Sequence, residues 1–507
     1  MTFEIVFVLL SLLGMMAALI ADKMRPGMVL FSVVVLFLCV GILTPKEMLE
    51  GFSNKGMITV ALLFLVSEGI RQSGTLGQVI KKLLPQGKTT VFKAQLRILP
   101  SVAFISAFLN NTPVVVIFAP IIKHWAKSVK LPATKFLIPL SYVTILGGIC
   151  TLIGTSTNLV VHGMILEAGY EGFTMFELGK VGIFIAIAGI IYLFIFSKRL
   201  LPDARPDTAV PDEEVEEGEK LHRVEAVLGA RFPGINKKLS DFNFQRHYGA
   251  EVKEIKTRNG QRYVDHLEDV VLREGDTLVV MADDTFIPTW GESSVFVLLT
   301  NGNDPDTSGK KKRWLALILL VLMIVGATVG ELPATKEMFP DIKLDMFFFV
   351  CITTIIMAWT NIFPARKYTK YISWDILITI ACAFAISKAM VNSGVADCVA
   401  GFIIGLSDDY GPHVLLAILF VITNLFTELI TNNAAAALAF PLALSISAQL
   451  GVSPTPFFVV ICMAASASFS TPIGYQTNLI VQGIGNYKFT DFVRIGLPLL
   501  SLIHISE

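Results

Sequence analysis

The sequence predicts an all-α polytopic membrane protein with two inverted repeats, two re-entrant hairpins and a small α+β soluble domain inserted between the halves. The first observation is composition: the 507 residues are 53% hydrophobic and only 16% charged, whereas soluble proteins carry about 25% charged residues. The second is a set of polar motifs that recurs after about 320 residues. The third is a change of character between residues 201 and 312, where charged and β-type residues replace long apolar runs.

The first half, residues 1–200, is predicted to contain five spans and one re-entrant hairpin. Windows of about 20 residues without charge mark the spans, as a helix that crosses a bilayer requires. The N-terminus lacks a basic segment and a small-residue cleavage site, which favours a retained first span over a signal peptide. The predicted spans lie at about 3–21, 27–44, 57–72, 133–163 and 177–197, and the hairpin lies at about 98–125.

The middle of the chain is predicted to be soluble. An acidic linker at 201–218 leads into a domain at 219–301, and a basic linker at 302–313 leads out of it. Asn259-Gly260 between two β-type runs is typical of a β-hairpin turn. The predicted strands lie at 224–228, 250–255, 261–264 and 276–281.

The second half, residues 314–500, repeats the organisation of the first. Residues 501–507 are expected to be a non-native tail, because the last span is cut short relative to its counterpart in the first half. The spans lie near 314–331, 345–362, 372–390 and 413–426, with a hairpin at about 418–448 and further spans beyond it.

Three sequence blocks place the halves in one register. Basic residues in short loops mark the cytoplasmic side, and this rule gives ten spans with the N-terminus outside only if each hairpin enters and leaves on one side. The first half then has five spans, so the halves are inverted, as is typical of secondary transporters. The matched blocks are 71–74 with 391–394, Asn111 with Asn432, and 151–163 with 471–483, at offsets of 320 or 321 residues (394 − 74 and 432 − 111).

A polar tetrapeptide, Asn110-Asn111-Thr112-Pro113, interrupts the apolar sequence of the first half, and Thr431-Asn432-Asn433 interrupts the second. Irregular backbone at membrane depth is tolerated only where it is buried in protein or lines a wet cavity. Thr112 is expected to cap the returning helix, whose N-terminus then favours an anion. Alternatively, these side chains only join packed helices by hydrogen bonds, but the recurrence of the motifs in both halves favours a binding site.

Two glycine-broken spans, 154–158 and 474–478, offer hydroxyl, amide and carbonyl oxygens, which are the ligands that hard cations prefer. Together, the tips and breaks resemble the divalent anion:sodium symporter family over residues 1–200 and 313–500. The resemblance implies one sodium ion at each tip and a substrate between the tips. The sodium ligands that the resemblance implies are, at the first tip, Ser106, Asn110, Asn111 and the Gly154 backbone, and at the second tip, Thr427, Thr431, Asn432 and the Gly474 backbone. Its substrate contacts are Asn111, Thr112, Thr155, Ser156, Asn432, Asn433, Gln476 and Thr477.

This sequence departs from the family pattern at its tripeptides and at Tyr475-Gln476, which is bulkier than usual. The inserted segment resembles a TrkA-C (regulator of potassium conductance, C-terminal) domain through Leu239-Ser240, residues 249–252 and residues 272–278. That second resemblance implies a domain that binds a small regulatory ligand or forms dimer contacts.

The function implied by the resemblance is sodium-coupled import of a small divalent anion by an elevator-type mechanism, with sulfate favoured over a C4-dicarboxylate. The expected partners are the anion, co-transported sodium, the lipid bilayer and a second copy of the chain. Equal numbers of basic and acidic residues, 41 each, give no indication of nucleic-acid binding. The expected location is a bacterial-type inner membrane, with the soluble domain in the cytoplasm.

Two other transport classes remain open, and an enzyme is disfavoured because no catalytic triad, metal-ligand cluster or P-loop pattern is present. A sodium/proton antiporter or arsenite-type exporter would use a carboxylate, for which Glu428 is the candidate. A gated channel is weaker, since no TVGYG-like filter occurs. Three further ionisable residues, Glu68, Asp375 and Lys388, fall in predicted spans, and we expect structural roles for them and for His162.

Overall fold

The computed structural model is mostly helical, with one small antiparallel sheet in the middle of the chain. It describes residues 3–21, 23–85, 87–203, 222–229, 231–257, 261–283, 286, 290, 295–300, 310–339, 341–405, 411–472 and 474–506.

The described residues of the first half form ten α-helices, and local sequence signals mark several of their ends. Thr44 forms a capping box with Glu47 at the start of one short helix, and Gly41 ends the preceding helix in a left-handed conformation. The helices are α1 Phe3–Ala21, α2 Pro26–Val40, α3 Pro45–Glu50, α4 Lys55–Gln72, α5 Thr75–Leu83, α6 Val91–Ser106, α7 Asn111–Ser128, α8 Leu137–Gly148, α9 Ser156–Glu167 and α10 Gly179–Leu200. The span predicted at 133–163 is therefore two helices, because residues 149–155 leave the helical path.

The described residues of the soluble part form five strands in the order β3-β2-β4-β1-β5, and every neighbouring pair is antiparallel. The predicted strands are confirmed in place. The Asn259-Gly260 turn lies outside the described residues, although β2 and β3 on either side of it do pair. The elements are β1 His222–Leu228, α11 Phe244–Tyr248, β2 Glu251–Lys256, β3 Arg262–Tyr263, β4 Thr277–Ala282 and β5 Phe296–Thr300.

The second half begins within the predicted basic linker, most of which lies outside the described residues, as does most of the acidic linker. Its helices recur in the order of the first half, so that α6 to α10 match α18 to α22. They are α12 Lys310–Gly330, α13 Pro333–Met338, α14 Met346–Trp359, α15 Tyr368–Tyr371, α16 Trp374–Asn392, α17 Val395–Gly405, α18 Pro412–Leu429, α19 Asn432–Leu450, α20 Thr455–Ser466, α21 Gln476–Gly485 and α22 Phe489–Ser506.

Six of the described helical segments are long and apolar enough to cross a membrane, and further apolar helices of 10–17 residues accompany them. Five of the six coincide with predicted spans, whereas Asn432–Leu450 falls in the predicted second hairpin. Along α10, Phe184, Ile187 and Ile191 are each at least half exposed, an apolar face that suits lipid rather than water. The long segments are Phe3–Ala21, Pro45–Gln72, Gly179–Leu200, Lys311–Gly330, Trp374–Asn392 and Asn432–Leu450.

The two faces of the sheet pack against different cores. Val224, Ala226 and Leu228 point into the aromatic core of the soluble domain, as the two-residue period of a strand requires. Val227, on the opposite face, belongs to the apolar core that runs through the helices of both halves. The soluble domain therefore rests directly on the helical part.

Candidate functional site

The first tip, residues 106–112, joins α6 to α7. Asn110 is the N-cap residue of α7, with φ −55° and ψ 141°, and its side chain makes no capping hydrogen bond. The prediction that Thr112 caps this helix is wrong, because the helix begins at Asn111 and Thr112 lies in its first turn. The second tip, residues 427–433, joins α18 to α19 and has Thr431 at the N-cap. The regions predicted as hairpins at 98–125 and 418–448 are each a pair of helices, within residues 91–128 and 412–450.

Each tip is held closed by a hydroxyl and an asparagine. The Ser106 hydroxyl lies 2.9 Å from Asn111 Oδ1 and 2.8 Å from the Thr144 carbonyl oxygen. In the second half, the Thr427 hydroxyl lies 3.0 Å from Asn432 Oδ1 and 2.6 Å from the carbonyl oxygen of residue 465. All three positions recur at an offset of 321 residues (427 − 106), so the halves use one local design.

The breaks before α9 and α21 also share a design. Asn158 Nδ2 donates to the Thr151 carbonyl at 2.8 Å, and Asn478 Nδ2 donates to the Thr471 carbonyl at 3.2 Å. Both amides also donate to the carbonyl ten residues before them, at residues 148 and 468. A Cβ atom on Gly154 would overlap the carbonyl oxygen of residue 148. Glycine is therefore required for the close backbone approach at this break.

The predicted substrate residues meet in pairs that cross between the halves. The Thr112 hydroxyl donates to Gln476 Oε1 at 3.3 Å, and the Ser156 hydroxyl donates to Asn433 Oδ1 at 3.2 Å. Thr477 is fully buried, and its hydroxyl lies 2.8 Å from the hydroxyl of Ser141. The structure thus gathers the predicted residues at one place, while their assignment to a ligand stays a prediction.

Tyr475 is the site residue that sequence reasoning noted only for its bulk. Its phenol oxygen accepts a 2.6 Å hydrogen bond from Asn111 Nδ2 and lies 3.1 Å from the Thr155 hydroxyl. The Asn432 side chain also bonds to it. Tyr475 therefore contacts both tips and the break of the first half. The signal that could have found it was its register position, which matches Thr155 at an offset of 320 residues (475 − 155).

Four helices begin at this place: α7, α9, α19 and α21. None of their N-cap residues, all of which are described, bonds to its own helix through its side chain. The N-terminus of a helix carries a partial positive charge and free N–H groups. The arrangement can therefore bind an anion without a cationic side chain. The N-cap residues are Asn110, Thr155, Thr431 and Tyr475.

The ionisable residues near the site differ in their contacts. Glu428 Oε1 accepts a 2.9 Å hydrogen bond from the backbone N–H of Ser470, so this carboxylate supports the second break. Glu68 instead bonds to Arg71 and Gln72 on its own helix, at 2.6 Å each. That pattern agrees with the expected structural role at a helix end.

The soluble domain contacts two of the four converging helices. Lys123 of α7 lies 2.9 Å from Glu225 of β1, and Gly275 packs against Leu479 of α21. Burial raises the pKa of Glu225, but Lys123 and Lys256 outweigh it and lower that pKa to about 2. The carboxylate is therefore charged at neutral pH, and an ion pair joins the sheet to the helix that starts at the first tip.

Comparison with known proteins identifies the family. The profile of a family described as "Citrate transporter" matches residues 16–448 and, in a second match, residues 338–505. The chain belongs to this citrate transporter family. It is also 29% identical to an uncharacterized transporter of Synechocystis, over 94% of this chain and 91% of that protein.

Two further relatives of this family member have more informative names. A probable sodium/sulfate cotransporter of Chlamydomonas reinhardtii is 32% identical over 55% of this chain and 30% of its own length. A sodium-dependent dicarboxylate transporter of Staphylococcus saprophyticus is 27% identical over 27% of each chain. The prediction that the chain is a membrane transporter is confirmed by this family membership. The homologues of the chain include proteins named as sodium/sulfate and sodium-dependent dicarboxylate transporters.

Proposed function

We propose that this protein is a sodium-coupled secondary transporter that imports a small divalent anion, with sulfate favoured over a C4-dicarboxylate. The observation that carries the proposal is the convergence of four helix N-termini without N-cap side-chain bonds, between two matched hydroxyl–asparagine pairs. Such termini stabilise an anion through their dipoles and N–H groups. The names of the sodium/sulfate relatives support sulfate as the favoured substrate.

Sodium enters this proposal as a co-transported substrate. Each tip supplies a hydroxyl, an amide oxygen and backbone carbonyl oxygens, which are the ligands that hard cations such as sodium prefer. In the first half these come from Ser106, Asn110, Asn111 and the Gly154 backbone. In the second half they come from Thr427, Thr431, Asn432 and the Gly474 backbone. A cation at each tip would offset the charge of the bound anion.

The proposed architecture is a pair of inverted repeats in which α6–α7 and α18–α19 are re-entrant hairpins. The repeated contacts at an offset of 320 or 321 residues support this reading. Transport would proceed by an elevator-type movement of the hairpin-bearing part, in a homodimer within the inner membrane. The domain at 219–301 would lie in the cytoplasm and bind a small regulatory ligand, as a TrkA-C-like domain.

Uptake into proteoliposomes tests the proposal. Purified full-length protein is reconstituted, and initial rates of labelled sulfate and succinate uptake are measured with an inward sodium gradient, with equal sodium on both sides and with choline in place of sodium. We expect sulfate uptake that requires the gradient and exceeds succinate uptake. Sodium-independent flux, or no flux of either anion, would contradict the proposal.

A second candidate function is a sodium/proton antiporter or arsenite-type exporter. The observation that favours it is Glu428, a carboxylate held beside the second tip by the N–H of Ser470. This alternative predicts that a sodium gradient drives proton movement in the same vesicles when no anion is added. A pH-sensitive dye inside the vesicles distinguishes the two, because symport of sulfate requires the anion.

A further inference from the structure

Tyr475 occupies a special position in the candidate site. It is the N-cap residue of α21, it is 9% exposed, and its counterpart in the first half is the much smaller Thr155. The two halves therefore differ at a position that contacts both tips. A large aromatic side chain stands on one side, and a hydroxyl of similar hydrogen-bonding ability stands on the other.

The phenol of Tyr475 links three groups that the proposed anion would also need. Asn111 Nδ2 donates to it at 2.6 Å, Thr155 lies 3.1 Å away, and the side chain of Asn432 bonds to it as well. The amide of Asn111 is thus committed at both ends, because its Oδ1 lies 2.9 Å from the Ser106 hydroxyl. The side chain of Tyr475 therefore reaches both tips.

We propose that Tyr475 is the specificity-determining residue of the site and restricts it to compact tetrahedral oxyanions. This inference rests on the proposed function and names the substrate class of the same site. Sulfate carries its two charges on one small centre, so it can accept the phenol O–H on one oxygen and helix N–H groups on the others. Succinate separates its carboxylates by two methylene groups, so reaching both tips requires the space that the ring fills.

The ring and the hydroxyl make separable contributions. The ring excludes the longer anion by its volume, and the hydroxyl contributes a donor to the shorter one. Tyr475→Phe removes only the donor, whereas Tyr475→Thr removes the volume and restores the group that the first half carries at Thr155. The pair of variants therefore tests size against hydrogen bonding at a single position.

The experiment measures sodium-driven uptake of labelled sulfate by the full-length protein in proteoliposomes. Unlabelled selenate, oxalate, malonate and succinate serve as competitors. For the unsubstituted protein we expect competition by selenate and weak competition by succinate. In Tyr475→Thr, succinate should compete at a concentration at least about tenfold lower, which is the scale of discrimination that pocket size provides. Tyr475→Phe should still exclude succinate, while its apparent sulfate affinity falls about three- to tenfold for the lost hydrogen bond.

Tyr192→Phe is the matched control, because it removes another buried phenol hydroxyl, bonded to the carbonyl of Ile495 at 3.0 Å. It should leave the competition series unchanged. The inference is overturned if succinate competes with labelled sulfate no better in Tyr475→Thr than in the unsubstituted protein. It is also overturned if succinate competes as well in Tyr475→Phe as in Tyr475→Thr. Should Tyr475→Thr fail to fold, the unsubstituted protein decides, since equal competition by succinate and selenate would also overturn it. If sodium drives uptake but succinate competition is unchanged in Tyr475→Thr, only this inference is contradicted. If sodium drives no uptake in the unsubstituted protein, the proposed function is contradicted as well.

Discussion

The two tips share their framework and differ in the side chains that surround it. Ser106 with Asn111 and Thr427 with Asn432 form the same hydrogen-bonded closure. Around them, the first half has small residues where the second has larger polar ones, with Ala107 matched by Glu428, residue 148 by Ser468 and Thr155 by Tyr475. The shared part suits a task performed twice, such as holding a cation at each tip. The differing part lies where a single ligand between the tips would meet both halves.

The largest expected effect comes from removing the shared framework. Asn111→Ala and Asn432→Ala should each reduce sodium-driven uptake about 10- to 100-fold, because each would lose its proposed polar contact with a charged ligand, on the scale of about 1.5–3 kcal/mol. Uptake should become less responsive to sodium concentration in both variants. Asn392→Ala is the control, since it alters an asparagine that bonds to the Ile42 carbonyl, far along the chain from either tip.

Equal losses in both asparagine variants would support two equivalent cation positions. If Asn111→Ala retains full transport while Asn432→Ala loses it, the framework is not shared in function. That outcome would assign the cation site to the second half alone. Folding is checked in each case by size-exclusion chromatography and thermal unfolding.

The glycines at the breaks provide the next test. A Cβ atom on Gly154 would overlap a backbone carbonyl oxygen, whereas one on Gly474 would overlap mainly the side chain of Ser468 and would lie 2.9 Å from the Thr427 carbonyl oxygen. Gly154→Ala should therefore destabilise the protein by about 1–3 kcal/mol, the usual cost of overpacking. Gly474→Ala should cost less, and adding Ser468→Gly should restore part of the loss. Thermal unfolding of the purified protein measures all three, and no rescue by Ser468→Gly would contradict the packing argument.

Substitutions of Glu428 test whether this carboxylate, present at the second tip only, stabilises the structure or takes part in sodium/proton exchange. Glu428→Gln keeps an oxygen to accept from Ser470, so sodium-driven sulfate uptake should persist at a similar rate. Glu428→Ala leaves a buried N–H without that acceptor and should lower stability by about 1–3 kcal/mol. Complete loss of transport in Glu428→Gln, with its stability unchanged, would instead favour the antiporter. Initial uptake rates and thermal unfolding on the same preparations supply both readouts.

Sequence patterns anticipated the parts of the molecule that depend on local chemistry. The strand runs of the soluble domain, the two polar interruptions and the glycine breaks can be read from periodicity and residue type alone. The start of α7 could not, since Asn110 and Thr112 are both acceptable N-cap residues and tertiary contacts decide between them. The contacts of Tyr475 also escaped prediction, because they join residues more than 300 positions apart that only the folded arrangement brings together.

Sequence alone also could not predict what packs against the face of the sheet that carries Glu225. Alternation along β1 indicates two faces but does not say that one of them packs on α7. The ion pair with Lys123 and the burial of Val227 supply that answer. The soluble domain thus contacts α7 from the first half and α21 from the second, which places one docking surface on helices that begin at opposite sides of the site.

The last test concerns the stability of this docking surface. The pKa of Glu225 is lowered from 4.5 to about 2 in the folded protein, so the folded state favours the charged carboxylate. A depressed pKa contributes stability that is fully present above pH 4.5 and is lost as the pH falls towards 2, in total about 3 kcal/mol. Glu225→Gln should remove this contribution, lowering the unfolding temperature at pH 7 and flattening its dependence on pH between 5 and 3.

Lys123→Met combined with Glu225→Gln completes a double-substitution cycle, and the pair of changes should cost less than the sum of the single ones. Thermal unfolding of the detergent-purified full chain at pH 7, 5, 4 and 3 measures each variant. Strict additivity would mean that the two side chains do not stabilise each other, and the docking surface would then rest on packing contacts such as those of Val227 and Gly275. Coupling between the two variants, in contrast, would mean that a charge on the sheet is held by the helix that begins at the first tip.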